Sequence, residues 1–351
     1  MTNTNQKWLG ARIGRRALAN GRAWTKALRA WLAPAREMLR PPAASFTGHN
    51  REGIAEYDFA LPGRVRGHGV SAMLRARNEE RMIWDCLASI VSVFDEIVVV
   101  DNASTDSTMA LVQRFKQEHD DRDVVRLLSY PIEIARCGRE NARTPGDSVH
   151  SAAYWYNWCL ARCRHAYVCK WDADMLLLDE GRTAFRTFLQ GLSTWRPTMW
   201  EFDVQTAYRD PTGRWFLARD EINSEPRIWP NRAEVRFYRA ELFEAVHRRP
   251  YIPIRKWPPV YVYELKDTTK DEFSHWSPED RLAFPTERKQ REWRNFESVR
   301  TGDMSAERFT ELDPTFLPSR QWKGAPRSSA LRSQEAAQPR RIELPPEFRS
   351  Q

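Results

Sequence analysis

Apolar residues in the segment 70–171 follow two alternating patterns along the chain. Continuous apolar runs predict four strands, at 70–74, 96–100, 124–129 and 165–171. Apolar residues at helical spacing predict three helices between them, at 79–93, 106–117 and 150–163. Strands without polar alternation are typical of a parallel sheet covered by helices on both faces. The pattern therefore predicts βαβ units with right-handed crossovers.

After residue 195 the pattern changes to shorter stretches of mixed periodicity. They predict mixed or antiparallel strands at 199–208, 213–219, 225–231, 234–239 and 259–265, and then a charged helix near 278–293. We therefore expect one α/β domain with a first half over 70–195 and a smaller, mixed second half over 196–317. Pro and Gly punctuate residues 41–69, which we interpret as a linker and domain edge. The apolar-poor segment 318–351 predicts a disordered tail.

The formal net charge of +8 is concentrated in residues 1–40. This arm contains nine Lys or Arg and one acid, so the rest of the chain is balanced. Apolar residues at helical spacing, such as Leu9, Ile13, Trp24 and Leu28, lie between the basic ones. A cationic amphipathic helix of this kind favours an anionic membrane surface. A basic tail without a ligand and a transit peptide remain alternatives, because the arm is rich in Arg and poor in acids.

Composition argues against several other classes of protein. A spanning helix needs about 18 consecutive apolar residues, and no such run occurs. The balanced charge of residues 41–351 gives no reason to expect a nucleic-acid partner. Five cysteines are an odd number in a long chain, which does not indicate a disulfide framework. Cys159, Cys163, His165 and Cys169 match no common zinc module, so we interpret these thiols as packed apolar groups.

Polar residues accumulate directly after three of the predicted strands. The segments are RARNEE (75–80), DNASTDST (101–108) and DAD (172–174). In open α/β sheets, ligands bind beyond the carboxyl ends of the strands. We therefore expect the three loops to form one site.

Asp172 and Asp174 form a D-x-D triplet at the end of the fourth predicted strand. Two carboxylates at this spacing can share a divalent cation such as Mg²⁺ or Mn²⁺, which binds hard oxygen ligands together with phosphate oxygens. Asp residues also cap turns, and a lone triplet is equally consistent with that role. Its position beside the other two loops favours a metal site.

Three segments together resemble the family-2 glycosyltransferases of the GT-A fold. They are LRARNEERMIWDCLASI (74–90), DEIVVVDNASTDST (95–108) and YNWCLARCRHAYVCKWDAD (156–174). The resemblance is good over about 70–175 and looser to about 275. It implies a Rossmann-like, mixed but mainly parallel sheet flanked by helices, in which 70–195 is the nucleotide-sugar-binding half and 196–317 the acceptor-side half.

The resemblance also implies roles for individual residues. Asp101 would contact the uracil or ribose of a nucleotide-sugar, Asn78 and Glu79 would line the same pocket, and Asp174 would be the main metal ligand, with Asp172 near the ribose and diphosphate. The second Asp and the Gly of the family's loop are here Asn102 and Ala103. The full set expected to bind the nucleotide-sugar is Arg77, Asn78, Glu79, Asp101, Asn102, Asp172 and Arg227.

A later segment, EPRIWPN…YRAELFEAVHRRP (225–250), is similar to members that build lipopolysaccharide core and related glycans. Those members have a Glu where this chain has Arg248. If that Glu is the family's acceptor-activating base, another carboxylate must act here, and the candidates are Asp220, Glu221 and Glu244. His247 is a candidate metal or diphosphate ligand, and a packed surface histidine is the alternative.

We therefore predict an inverting, metal-dependent glycosyltransferase. Its expected partners are a nucleotide-sugar, with UDP-sugars first, and a glycan or lipid-linked acceptor. The basic arm predicts a cytoplasmic protein that lies peripherally on the inner face of the cell membrane. One alternative is a nucleotidyltransferase, although RARNEE lacks the glycines of a phosphate loop. The other is a non-catalytic basic protein that binds membrane or nucleic acid.

Overall fold

The computed structural model describes residues 45–63, 67–281 and 284–321. The predicted basic arm over 1–40 lies outside these residues, as does the predicted tail apart from residues 318–321. Residues 249–252 do not belong to the main compact unit, which contains the other described residues.

The described residues contain thirteen strands, of which β8, β9 and β12 are the longest. In chain order they are β1 (Ser45–Gly48), β2 (Phe59–Pro62), β3 (Val70–Ala76), β4 (Glu96–Asp101), β5 (Val125–Ser129), β6 (Tyr167–Asp172), β7 (Met175–Leu177), β8 (Met199–Arg209), β9 (Trp215–Pro230), β10 (Arg236–Arg239), β11 (Glu244–His247), β12 (Ile254–Asp267) and β13 (Phe309–Leu312).

Helices fall mainly between the strands of the first half. In chain order they are α1 (Ile83–Ile90), α2 (Thr108–His119), α3 (Arg139–Arg143), α4 (Ala152–Arg162), α5 (Asp179–Gln190), α6 (Glu287–Thr301) and α7 (Pro318–Gln321). Short 3₁₀ turns cover Ala55–Tyr57, Pro278–Arg281 and Pro314–Phe316.

One sheet of nine strands organises the domain, in the order β5-β4-β3-β6-β9-β8-β12-β7, with β13 paired to β9. The strands β5, β4, β3 and β6 are all parallel, as the apolar pattern predicts. From β6 onward the pairings are antiparallel, except for β8 with β12. The expected α/β class is confirmed, and the parallel character belongs to its first half.

Burial explains why the strands of the first half appear in the sequence as continuous apolar runs. Every residue of β4 is buried, and β3 is buried at all but one position, because helices cover both faces of these central strands. Under them lies an aromatic cluster in which the ring of Phe185 on α5 is 5.6 Å from that of Phe202 and 5.0 Å from that of Trp257. Trp171 of β6 joins the same cluster, next to the acidic loop.

Three features differ from the sequence prediction. The linker expected over 41–69 contains a β1–β2 hairpin, held to α4 by Tyr154, whose hydroxyl donates to the carbonyl of Tyr57 at 3.1 Å. The strands predicted at 213–219 and 225–231 are one long strand, β9. Helix α5 has no counterpart in the prediction. Its first turn lies close to β12 because Gly181 has no side chain: a Cβ there would stand 2.3 Å from Tyr261.

We expect Phe185→Ala to lower the free energy of unfolding by about 3–5 kcal/mol, because the change leaves a cavity inside the aromatic cluster. Phe243→Ala is the control: Phe243 is 40% exposed, and its loss should cost less than about 0.5 kcal/mol. Urea unfolding monitored by tryptophan fluorescence measures both changes. Equal effects of the two substitutions would contradict the assignment of Phe185 to the core.

Candidate active site

The carboxyl ends of β3, β4 and β6 lie side by side. Strand register pairs Ala76 with Asp101 and Arg75 with Asp172, so the loops that follow these strands leave the same edge of the sheet. This is the arrangement expected for the three polar segments. The loop residues Asn78 and Glu79 consequently lie beside the loop that follows Asp101, and backbone-to-side-chain hydrogen bonds tie the two loops together.

Asp172 is held by two arginines from neighbouring strands. Arg75 of β3 donates to its Oδ1 at 2.5 Å, and Arg227 of β9 donates to its Oδ2 at 2.7 Å. The guanidinium of Arg75 also lies 3.8 Å from the ring centroid of Tyr156. Burial opposes ionisation of Asp172, but the charges of Lys170 and the two arginines outweigh it, so the pKa of Asp172 lies well below its ordinary value. Asp172 is therefore ionised, and both of its carboxylate oxygens accept hydrogen bonds from arginines.

The cations around Asp172 continue to a second carboxylate. Glu225 of β9 accepts from Arg227 at 2.6 Å and from Lys170 at 3.3 Å. Burial opposes ionisation here too, yet Arg227 and Lys170 lower the pKa of Glu225 to about 2. We call Arg75, Lys170 and Arg227, with Asp172 and Glu225, the cationic group. Its three cations exceed its two carboxylates.

Asp174, only two residues further on, has a different environment. Its Oδ2 accepts from the Nζ of Lys266 at 2.6 Å, and the same ammonium is 2.8 Å from Oε1 of Glu264. Both partners come from β12, where positions 264 and 266 face the same side. Asp174 is fixed from the other direction as well, because its carbonyl accepts the backbone N–H of Leu265 at 2.8 Å.

Two more carboxylates, Glu79 and Glu272, lie within electrostatic range of Asp174. Burial, Asp174 and Glu272 raise the pKa of Glu79 well above its ordinary value, and burial raises the pKa of Glu272 to about 7. Both side chains are only partly buried. We call Glu79, Asp174, Glu264 and Glu272, with Lys266, the acidic group.

Burial also raises the pKa of Asp174, which Lys266 lowers only in part. Three carboxylates of the acidic group therefore have raised pKa values, although a lysine lies among them. Burial is the largest cause of each rise, and the negative charges of neighbouring carboxylates add to it, whereas Lys266 lowers the pKa of Glu264 to about 2. Such a group of hard oxygen ligands has the chemistry of a divalent-cation site. In the part of the chain that the structure describes, however, no set of three or more His, Cys, Asp or Glu is assembled to hold a metal ion.

Asp101 presents a buried oxygen without a partner. Its Oδ2 accepts the backbone N–H of Ser104 at 3.1 Å, whereas its Oδ1 is buried and receives no hydrogen bond. Burial raises the pKa of this carboxyl. A buried polar atom without a partner costs free energy unless a ligand satisfies it, so Oδ1 fits the expected contact with a base or ribose.

Two residues of the adjoining loops have left-handed backbone conformations, Asn78 with φ 58° and Ala103 with φ 51°. Ala103 stands where the family's loop has Gly, which adopts this conformation at no steric cost. Asn78 is fixed because its Oδ1 accepts the backbone N–H of Thr105 at 2.7 Å. Its side chain therefore joins the two loops.

Asn102 differs from the sequence prediction. Its amide nitrogen donates to the carbonyls of Tyr130 and Ile132, both at 2.7 Å, and the residue is 2% exposed. The side chain thus points to the segment after β5, and the geometry argues against its predicted contact with a nucleotide-sugar. Asn102 fastens the end of β4 to the neighbouring chain.

The three candidate bases lie in three different environments. Glu221 is 1% exposed and accepts hydrogen bonds from Thr206, Tyr208 and Asn295, which argues against a contact with substrate. Asp220 is exposed and accepts from Asn295 at 3.2 Å.

Glu244, at the start of β11, is a candidate base whose carboxyl interacts electrostatically with the site. Burial raises the pKa of Glu244, and Lys170 and Arg75 of the cationic group act against that rise.

The remaining predicted residues lie at the periphery. Arg77 is exposed in the loop after β3. His247 is exposed at the end of β11, opposite Arg236 in a separate two-stranded ribbon. The role of His247 as a metal or diphosphate ligand stays a prediction.

The sequence prediction missed the residues that surround the two aspartates. Glu225, Glu264, Lys266 and Glu272 were not singled out, and Lys170 was left without a role. The alternation of charged residues along β12, at positions 264 and 266, is the one local signal that marked a strand face turned toward a polar site.

Fold and site together define an α/β domain with an acidic and a cationic group at the carboxyl edge of its sheet. Residues 71–129 match the model of glycosyl transferase family 2. Over these residues, the predicted resemblance to family-2 glycosyltransferases is confirmed. None of the helices in residues 45–63, 67–281 and 284–321 is long and apolar enough to cross a membrane.

Among curated proteins, the poly-β-1,6-N-acetyl-D-glucosamine synthase of Staphylococcus epidermidis is 32% identical over 115 residues. The match covers 32% of this chain and 23% of the synthase, so the chain spans less than a quarter of the length of that relative.

Two solved structures superpose only in part. A mannosyltransferase from Pyrobaculum calidifontis, in complex with GDP-Man and Mn²⁺, is 20% identical with a TM-score of 0.28, covering 54% of this chain and 45% of its own. Glucosyl-3-phosphoglycerate synthase from Mycobacterium tuberculosis, in complex with Mn²⁺, UDP-Glc and phosphoglyceric acid, is 22% identical with a TM-score of 0.23, covering 41% of this chain and 44% of its own.

We expect Asn102→Ala to lower the free energy of unfolding by about 2–4 kcal/mol and to leave the affinity of the folded protein for UDP unchanged. The change leaves two buried carbonyls without a donor but removes no group that faces the cleft. Thermal unfolding and isothermal titration with UDP measure the two effects.

Asn231→Ala is a matched control for this experiment. Its amide nitrogen also donates to two carbonyls, those of Cys163 and His165, beyond the amino end of β6. A loss of UDP affinity in Asn102→Ala that is absent from Asn231→Ala would restore the predicted role of Asn102 in nucleotide binding.

Proposed function

We propose that the protein is an inverting glycosyltransferase that moves a sugar from a nucleoside-diphosphate sugar to a hydroxyl of a glycan or lipid-linked acceptor. The observation that carries the proposal is the separation of charge across the D-x-D triplet. Asp172 belongs to a group with surplus positive charge, and Asp174 belongs to a group with surplus negative charge. A bound diphosphate and a bound divalent cation need these two environments side by side.

The cationic group suits the diphosphate. Arg75 and Arg227 are held in position by Asp172, so their unused guanidinium N–H groups are pre-organised for phosphate oxygens. The Nε of each arginine is buried without a partner. Next to this group, the free Oδ1 of Asp101 would accept a hydrogen bond from the base or ribose, and Asn78 would hold the pocket loop in shape.

The acidic group suits Mn²⁺ or Mg²⁺. Within this group, Asp174 and Glu264 both contact Lys266, and Glu79 and Glu272 lie around them. A divalent cation bound there would neutralise the charge that develops on the leaving diphosphate. Asp172 is a weaker candidate for a metal ligand, because both its oxygens already accept from arginines. His247 stays outside this proposal.

Glu244 is the carboxylate that we propose as the general base. It would take the proton of the acceptor hydroxyl while the hydroxyl oxygen attacks the anomeric carbon. The bond from that carbon to the diphosphate oxygen breaks on the opposite face, and the diphosphate leaves with the electron pair. A carboxyl with a raised pKa is suited to this task, because its basicity is closer to neutral pH.

Attachment of the arm over residues 1–40 to an anionic membrane stays a prediction from sequence. It would bring the site close to lipid-linked acceptors at the inner face of the cell membrane. Neither alternative class is favoured by the site: a nucleic-acid-binding or membrane-binding protein has no need of the acidic group, and the loop after β3 has no glycine-rich phosphate cradle.

We expect the protein to bind UDP or GDP in a Mn²⁺-dependent manner, and Asp174→Asn to weaken that binding by at least about tenfold, since it removes a metal-ligand charge. Isothermal titration with each nucleotide, with and without Mn²⁺, measures the effect. Asp179→Asn is the matched control, because Asp179 is a half-exposed acid at the start of α5 that pairs only with Arg182. Equal Mn²⁺-dependent affinity in Asp174→Asn and Asp179→Asn would refute the metal role of Asp174.

We expect Glu244→Gln to reduce the release of UDP from UDP-Glc, or of GDP from GDP-Man, by about 10²- to 10⁴-fold while nucleotide affinity stays within a factor of about two. Asp220→Asn should leave the rate nearly unchanged, because Asp220 is exposed and accepts a hydrogen bond from Asn295. A rate loss in Asp220→Asn instead would transfer the role of base to that residue.

A further inference from the structure

The ammonium of Lys266 lies between two carboxylates of the acidic group, those of Asp174 and Glu264. Its Nζ is 2.6 Å from Asp174 and 2.8 Å from Glu264, and its side chain is only 9% exposed. An ammonium paired with two carboxylates at these distances is a fixed internal cation.

We propose that Lys266 is a built-in counter-ion that holds the acidic group closed without metal, and that a divalent cation must displace its ammonium from Asp174 in order to bind. The proposal rests on the function proposed above. It concerns a residue that sets the metal affinity of the site, and it assigns to this lysine a positioning role rather than a catalytic one.

The contact distances make the two cations competitors. A Mn²⁺- or Mg²⁺-sized ion needs carboxylate oxygens at about 2.0–2.2 Å, and it would draw on the carboxylates of Asp174 and Glu264 that the ammonium now contacts. An ion there would stand within a few ångströms of Nζ in a low-dielectric cleft, where like charges repel strongly. The Lys266 ammonium in its present position and a bound divalent cation therefore each disfavour the other.

The contact with Lys266 also fixes how Asp174 and Glu264 are arranged. With Lys266 between Asp174 and Glu264, the carboxylates are arranged around an ammonium, which accepts longer distances and has no fixed coordination geometry. Displacement leaves the ammonium close to other acids, because Glu272 and Glu292 also lie within its electrostatic range. The lysine can therefore leave Asp174 without becoming an unpaired buried charge.

We expect Lys266→Gln, as the full chain without nucleotide, to bind Mn²⁺ about tenfold more tightly than the wild type. If the ammonium occupies the site for about nine-tenths of the time, competition raises the apparent Kd of the wild type by that factor. Lys256→Gln is the matched control: Lys256 lies on the same strand and pairs with Asp203 at 2.8 Å, so the change removes the same charge without opening the acidic group. Electron paramagnetic resonance of free Mn²⁺ gives the three affinities.

A second measurement needs no substitution and tests displacement itself. Reductive methylation of the wild type, followed by mass spectrometry of its peptides, reports the accessibility of each lysine. We expect Mn²⁺ to raise the labelling rate of Lys266 several-fold and to leave that of Lys256, which is 46% exposed, unchanged. Unchanged labelling of Lys266 in saturating Mn²⁺ overturns the proposal, even if Lys266→Gln binds the ion more tightly.

The outcomes separate this inference from the proposed function. Equal Mn²⁺ affinity in wild type, Lys266→Gln and Lys256→Gln overturns the counter-ion role and leaves the glycosyltransferase proposal intact. Absence of Mn²⁺ binding in all three proteins, with UDP or GDP present as well, overturns both.

Discussion

The ion pairs of Asp172 with Arg75 and Arg227 are the interaction on which the site depends. Arg75 belongs to β3, Asp172 to β6 and Arg227 to β9, so the three charges cross the junction where the sheet changes from parallel to antiparallel. Each charge alone would be costly to bury, and loss of one partner from such a pair typically costs about 3–5 kcal/mol. The two halves of the domain are therefore joined by the same residues that would face a diphosphate.

This junction also explains why the nearly adjacent residues Asp172 and Asp174 have different surroundings. Asp172 is the last residue of β6 and keeps strand geometry, which turns it toward β3 and β9. Asp174 lies in the turn before β7, where hydrogen bonding to Leu265 brings it to β12 and to Lys266. A single intervening residue, buried Ala173, thus separates a cationic from an acidic environment. A D-x-D triplet can act as a boundary between two sites as well as a shared clamp.

The sequence was informative where the signal is local. The strands β3, β4, β5 and β6 and the edge formed by their loops follow from short apolar runs, each a few residues from the polar segment that it positions. Lys266 and Glu264 lie some ninety residues from Asp174, and only the parallel register of β12 on β8 and its pairing with β7 bring them together. Asn102 shows the opposite limit: its place in a family loop predicts contact with a ligand, whereas its amide nitrogen donates to the carbonyls of Tyr130 and Ile132 beyond the end of β5.

The excess charges of the two groups have opposite signs. In the acidic group, burial and the neighbouring carboxylates raise the pKa values of Glu79, Asp174 and Glu272, so these carboxylates are costly to keep ionised. Lys266 acts against each of these rises and so reduces the cost. A nucleoside-diphosphate with its divalent cation would relieve both surpluses at once, since the anion meets the arginines and the metal meets the carboxylates. Binding of the two ligands should therefore be mutually reinforcing, because the free energy that either one releases depends on the charge that the other supplies.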